Sequence, residues 1–446
     1  MTMTLEHDID LDKKVDLQLA DDANKVRKIT IKTAELLKAV RRAVSIVNHN
    51  HSTLVLQNIF FATTDNGIIL RAVNDSFSVE TTIDPAHCVI EDDPRSVLFP
   101  AKRLLDIVSK MSGKNTTIFI RDNFIRIKSG RANMDIGVQD ADEFPKLPQI
   151  KKGNTFEIAA DALLDMYTRT VFATSKLESM PVLQGVLHDI EDQRFRCIAT
   201  DRHRFAQVYH PTTIECEPMR VSVPAITINE VMKHLKEKKA DTIKVTVKDT
   251  RVVYDMNDTV LYSQVLEGTY PDTNRIIPTG AKATVTVPNS EFLGAVKRAA
   301  IFLDDSNSSK ITIMIDGEKN QMRIQSLDSD EGTMLEDMVT LKGEGGFASS
   351  TMNGRYLLES LSRIGGTAHV EIKMTSTMPF LLREANALEG NVNVVVPVKH
   401  RLDSSKSIEN FTSNYNEEEA DPFAGRAEEY AEQQASEATE SQEGAA

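Results

Sequence analysis

The chain has 446 residues, a formal net charge of −14, three cysteines and no tryptophan. That length suits about three domains of ordinary size, and no apolar run reaches the ~18 residues that would suggest a membrane span. Cys88, Cys197 and Cys216 form no close pair, which argues against a disulfide scaffold or zinc knuckle and for a reducing cytoplasm. The first ten residues lack the basic start and apolar core of a secretory signal. Residues 1–26 are polar and Asp-rich without a sustained period, and are expected to form a flexible arm.

The first patterned stretch, Lys28 to Val47, alternates like a strand and then switches to helical spacing. Leu36, Leu37, Val40, Val44 and Val47 fall on one stripe, with Lys38 and Arg42 opposite and Arg41 on the flank. Strand-like runs follow at Leu54–Ala62, Gly67–Val73, Ser76–Ile83 and Ser96–Phe99. A helix is expected over Ala101–Met111, with Lys102, Arg103 and Lys110 off its apolar half. Further strands are expected at Thr116–Arg121, Phe124–Lys128 and Asn133–Val138.

The strand-then-helix unit recurs at Thr155–Phe172 and Ala283–Ile301. Thr33, Asp161 and Asn289 read as capping or acidic residues at helix starts 128 positions apart. A second marker, Phe99-Pro-Ala-Lys-Arg, recurs as Val223-Pro-Ala-Ile and Met352-Asn-Gly-Arg. A third, Glu143-Phe-Pro-Lys, recurs as Thr269-Tyr-Pro-Asp. A period this long exceeds the ~20–50 residues of solenoid units, so the repeat is domain-sized. The expected domains are 27–150, 151–279 and 280–402. The remaining expected helices are Asp161–Phe172 with Arg169, Ile226–Lys238 with Lys233 and Lys236, Ser290–Leu303 with Lys297 and Arg298, and Gly354–Ile364 with Arg355 and Arg363. Each domain then reads as two amphipathic helices on one side of mostly antiparallel sheet, an α+β layered unit.

From Asp403 onward there are twelve acids and two bases, so the first 402 residues carry only −4. That acidic tail is expected to be disordered. Any one basic helix face reads most simply as a solvated surface. Six such helices, carrying thirteen bases off their stripes, make a positive face if they point one way. Such a face without interleaved aromatics suits duplex phosphates rather than stacked single-stranded bases.

Several motifs in order resemble the bacterial sliding clamp family, the β subunit of the replicative DNA polymerase. They are Pro181-Val-Leu-Gln-Gly, Ile198-Ala-Thr-Asp-Arg-His-Arg-Phe-Ala206, Tyr270-Pro-Asp-Thr-Asn-Arg-Ile-Ile-Pro278, Phe99-Pro-Ala, Ser129-Gly-Arg131 and Val394-Val-Val-Pro-Val398. The resemblance covers about residues 28–402. It implies three tandem clamp domains and a head-to-tail homodimer closing into a six-domain ring around DNA. It implies no catalysis, cofactor or metal. Partners would be duplex DNA, the replicative polymerase, the clamp loader and repair proteins, the proteins docking through short peptides, with no membrane.

Carried over by motif, the implied peptide pocket comprises Leu183, Thr200, His203, Arg204, Phe205, Pro271, Arg275, Ile276, Val394, Val396 and Pro397. The implied dimer contact includes Ile301 and Phe302, beside the polar run Asp304-Asp-Ser-Asn-Ser308. Three positions depart from the family pattern: Arg202 stands where Gly is usual, Phe205 for Leu and Val396 for Met. An enzyme or metal reading of Asp201 and His203 lacks a second cluster at metal-site spacing. The alternative is a clamp-like scaffold from a phage or mobile element that binds peptides without encircling DNA; retained ring interfaces separate the two. Ser407-Ile-Glu-Asn-Phe411 in the tail is a candidate to fold back and compete with partner peptides.

Overall fold

The computed structural model describes residues 27–397, apart from 92–95, 122–123, 148–149, 151–152, 192–193, 212–215, 238–240, 279, 304–309, 327–331, 333, 366–367, 376–378 and 386–390. The expected N-terminal arm, the acidic tail and the polar run 304–308 lie outside the described residues.

Six α-helices fall where the apolar spacing placed them, two per module. They are α1 (Thr33–Val44), α2 (Ala101–Ser109), α3 (Ala160–Thr168), α4 (Ala225–Glu237), α5 (Asn289–Ala300) and α6 (Gly354–Leu361). The two helices of each module pack together. In α1, Leu36, Ala39, Val40 and Ala43 are buried; in α5, Phe292, Ala295, Val296 and Ala299 are buried at the same relative positions. Leu36, Val40, Phe292 and Val296 each contribute roughly 1.5–3 kcal/mol when fully removed from water, and the alanines less.

The helix starts differ from expectation. Asp161 is the acidic residue in the first turn of α3, but Thr33, Asp161 and Asn289 are not capping residues. Lys32, Ala159 and Pro288 precede α1, α3 and α5, and none makes a side-chain cap. A backbone device does the work in all three modules. The first helical N–H of each donates to a loop carbonyl before the last strands: Thr33 to Lys114 (3.0 Å), Ala160 to Asp241 (3.2 Å) and Asn289 to Ala368 (2.9 Å). This satisfies one of the donors that every helix start leaves open. The Asn289 amide instead donates to the carbonyls of Leu361, Ile364 and Gly365, tying α5 to the end of α6. Leu54–Gln57 forms a 3-10 turn rather than strand, and pairing begins at Asn58.

The described strands assemble into four antiparallel sheets, two of which run across module boundaries. In the first nine-stranded sheet, Phe77–Ile83 of domain 1 pairs with Thr259–Gln264 of domain 2. In the second, Arg204–Pro211 of domain 2 pairs with Val392–Val395 of domain 3. The two joints are therefore the same joint made twice. The two remaining sheets each end in an edge strand: Ala132–Gly137 in domain 1 and Leu335–Val339 in domain 3.

Candidate functional site

The joint between domains 2 and 3 is organised by the turn 201–204. An Asp followed by tight backbone favours such turns, because its side chain substitutes for a backbone acceptor. Here Oδ1 of Asp201 accepts from the N–H groups of His203 and Arg204, both at 2.9 Å. Thr200 donates its hydroxyl to the Arg204 carbonyl at 2.6 Å and accepts from the Arg202 N–H at 3.1 Å. Arg202 takes a left-handed φ of 76°, a conformation that Gly adopts without the Cβ clash an L side chain meets there. The ladder registers Arg204 opposite Val395 and Phe205 opposite Val394, and the Val396 N–H donates to the His203 carbonyl at 2.9 Å.

Beneath the turn lies a compact apolar cluster. Leu183, Phe205 and Val394 are buried in it with Tyr270 and Leu381, and Ile276 packs on its margin half-exposed. Thr200 is buried beside them. Val396 and Pro397 are half-buried, while His203, Pro271 and Arg275 are exposed. The residues carried over by motif thus share one joint, with buried members as a floor and exposed members as a rim.

Arg204, expected among the pocket residues, is not one of the exposed members. Its guanidinium is buried, pairs with Asp201 at 3.0 Å and with Glu359 of α6, and lies 4.6 Å over the Tyr356 ring and 5.4 Å over the Phe172 ring. It rivets the turn to the last helix of domain 3 rather than offering itself to a ligand. Tyr356, Glu359 and Phe172 belong to this site, and local sequence pattern does not point to them. Arg275, by contrast, is 92% exposed, with Asp272 3.7 Å away.

The thirteen cations expected on one face divide by environment. Lys38, Arg41, Lys102, Arg103, Lys110, Lys233, Lys236, Lys297, Arg298, Arg355 and Arg363 are exposed. Some are balanced by acids: Lys233 bonds Glu230 at 2.9 Å, and Arg298 bonds Glu336 at 2.7 Å. Arg363 stands 5.9 Å over the Phe172 ring. Arg42 is a correction. It is only 4% exposed and points across the joint between domains 1 and 2, to Asp258 at 2.9 Å and Thr259 at 3.2 Å. Arg169 is a second correction: it is half-buried between Asp165 (2.8 Å) and Glu384 of domain 3 (2.9 Å). Both charges are committed to structure because the neighbouring domain covers a helix side that spacing alone marks as polar.

Near Arg42, Ser45 donates to Glu230 of α4 at 2.6 Å. Burial alone would raise the Glu230 carboxyl, but hydrogen bonds from His234, Ser45 and Lys233 outweigh it and hold the group at about 2. The Glu230 carboxylate is therefore met by neighbours within the joint.

Three similar α+β modules, joined edge to edge by one recurring strand pairing, define a processivity-clamp architecture. Three domain models of the DNA polymerase III beta subunit match in order: the N-terminal domain over residues 27–148, the central domain over 157–272 and the C-terminal domain over 274–399. The chain belongs to the family of DNA polymerase III beta subunits, the beta sliding clamps. It is similar to the beta sliding clamp of Bacillus subtilis strain 168, with 27% identity over 379 residues, covering 83% of this chain and 99% of the relative. It is also similar to that of Staphylococcus epidermidis, with 26% identity over 376 residues, covering 83% and 98%. The crystal structure of the Bacillus subtilis clamp superposes with a TM-score of 0.80 at 26% identity, covering 84% of this chain and all of that one. The function is that of a DNA sliding clamp, and the reading as a scaffold apart from DNA gives way to it.

Proposed function

We propose that two copies of this chain close head-to-tail into a ring around duplex DNA and hold a polymerase there through short peptides, with no bond chemistry of their own. One observation carries the ring. Domain 1 meets domain 2, and domain 2 meets domain 3, by the same antiparallel pairing. The strands equivalent to those partners are the edge strands Leu335–Val339 and Ala132–Gly137. Setting one against the other from a second copy repeats the joint and covers both of these edges, a stable end for exposed strands.

The domain 3 edge has the surface of an interface. Leu335, Val339 and Leu341 are exposed, as is Ile301, at 71%, after α5; Phe302 beside it is half-buried. Such a group of large apolar side chains marks an association surface. Solution mass by light scattering tests this. Twice the 49.6 kDa chain mass is expected, falling to a single chain when Val339→Lys places a charge on that edge. A wild-type monomer would reject the ring.

Within the ring, the exposed lysines and arginines of the helices supply phosphate contacts that position without reading sequence. Peptides dock at the joint between domains 2 and 3, where apolar side chains find the Leu183–Phe205–Val394 floor and Arg275 and His203 stand at the rim. Affinity near micromolar, about −8 kcal/mol, is expected for such a segment. Polymerase, clamp loader and repair proteins are its partners.

A further inference from the structure

The joint between domains 1 and 2 holds a cavity of about 310 Å³ that is open to solvent on one side. Its walls include Val73, Phe77, Leu147 and Tyr262, with the cations Lys146 and Arg251. We propose that this cavity is a second docking pocket, for a linear peptide segment that pairs an apolar side chain with adjacent carboxylates. The proposal rests on the reading that the joint between domains 2 and 3 takes peptides, because the two joints are built alike.

The likeness holds part by part. The turn 74–77 repeats the turn 201–204: Oδ1 of Asn74 accepts from the N–H groups of Ser76 and Phe77, each at 2.9 Å, as Asp201 does for His203 and Arg204. Phe77 stands opposite Ser263 in its ladder as Arg204 stands opposite Val395 in the other. A 3-10 turn, Leu54–Gln57 or Pro181–Gln184, leads into the first strand of each pair of sheets. A buried aromatic followed by an exposed proline closes each side, as Phe144-Pro145 and Tyr270-Pro271.

The differences select the ligand. Arg204 plugs its joint with a buried guanidinium, whereas Phe77 at the matching place leaves an aromatic wall. Lys146 occupies the place of Asp272, which turns an acid into a base. The carboxylate in the wall, Asp75, already accepts from Nε2 of His51 at 3.0 Å, the other ring nitrogen taking the Thr53 N–H. Two exposed cations, Lys146 and Arg251, beside a hollow that mixes the apolar Val73, Leu147 and Tyr262 with serine, asparagine and glutamine side chains favour a carboxylate-bearing peptide. The volume, at the low end for ligand pockets, admits one or two side chains rather than a folded surface.

The test uses the full-length protein and a fluorescein-labelled pentapeptide, Leu-Phe-Glu-Glu-Asp, titrated to saturation. Two peptides per chain are expected. Lys146→Glu with Arg251→Glu, both exposed positions, should weaken one class of site at least about tenfold and leave the other. His203→Ala with Arg275→Glu should do the converse, so loss of the domain 2–3 site is told apart from loss of this one. A single peptide per chain that responds only to the His203 and Arg275 changes would overturn the proposal. Equal binding of the uncharged Leu-Phe-Gln-Gln-Asn peptide at the Lys146 site would also overturn it.

Discussion

Nη1 of Arg42 lies 2.9 Å from Oδ2 of Asp258, across the seam between domains 1 and 2. A cation on the outward side of a basic helix is thereby buried as a cross-domain tie. Arg42→Ala would leave the half-buried Asp258 without this partner and should cost about 2 kcal/mol, within the range for a hydrogen bond to a charged group. Urea unfolding reads that loss. The pair Lys38→Ala and Arg41→Ala should leave the urea midpoint unchanged. Their effect should appear in the salt dependence of DNA contact, lowering its log–log slope by about 1 per cation. Equal stability effects at Arg42 and Arg41 would refute the distinction.

Domain 2 carries an acid-sensitive core group. His188 is fully buried, and burial pushes its imidazole down to about 3. Its ring bonds the Tyr167 hydroxyl at 2.8 Å, which in turn bonds Tyr254 at 2.8 Å. The unfolded chain takes up this proton near 6.5, so it binds more protons than the folded state throughout the window between. Stability from this group is therefore complete above pH 6.5 and falls as pH drops toward 3, by roughly 1.4 kcal/mol per pH unit. Urea unfolding at pH 7.0, 5.5 and 4.5 should show that slope, and His188→Gln should flatten it by that amount. An unchanged slope in the variant would assign the acid lability elsewhere.

Arg202 at φ 76° carries a backbone cost that Gly would not. Arg202→Gly should raise stability by about 1 kcal/mol, and Arg202→Ala should not, because alanine keeps the Cβ that meets the carbonyl. A shift of the urea midpoint in the glycine variant alone is the expected result. If the pocket rim uses the Arg202 charge, both variants should also weaken an acidic peptide at the domain 2–3 joint to the same extent.

Much of this was readable from residue order. The 3.6 and 2.0 periods located all six helices to within a few residues, because each packs one apolar stripe on sheet. The motif residues Leu183, Phe205 and Val394 share a cluster because the pairing of Phe205 with Val394 is set by the ladder. What stayed hidden concerns contacts between domains. A helical wheel marks Arg42 and Arg169 as outward but carries no information about the neighbouring domain that covers them. Arg204 looks like a ligand-binding cation until Tyr356 and Glu359, some 150 positions away, are seen to hold it. The 3-10 turn Leu54–Gln57 escaped because Leu54-Val55-Leu56 is a short apolar run leading straight into the strand Asn58–Thr64, and such a run reads as its continuation. The two Phe-Pro and Tyr-Pro markers were visible as a repeat, and it is the fold that sets each beside a joint.

The tail begins just past the strand that frames the domain 2–3 joint, and Ser407–Phe411 lies outside the described residues. Its acids and its aromatics Phe411, Tyr415 and Phe423 complement the exposed Arg275. A chain cut after Leu402 should bind a partner peptide at that joint several-fold more tightly than the full chain. Equal affinities would leave the tail no competing role.

The central claim is topological: a ring made by joining a repeated edge. Loading the full chain onto nicked circular DNA with a clamp loader, then cutting the circle once, tests it most directly. The ring account predicts that the protein stays on the circle and leaves once the ends are free, at unchanged salt. Retention on the linear DNA to the same extent as on the circle would contradict it.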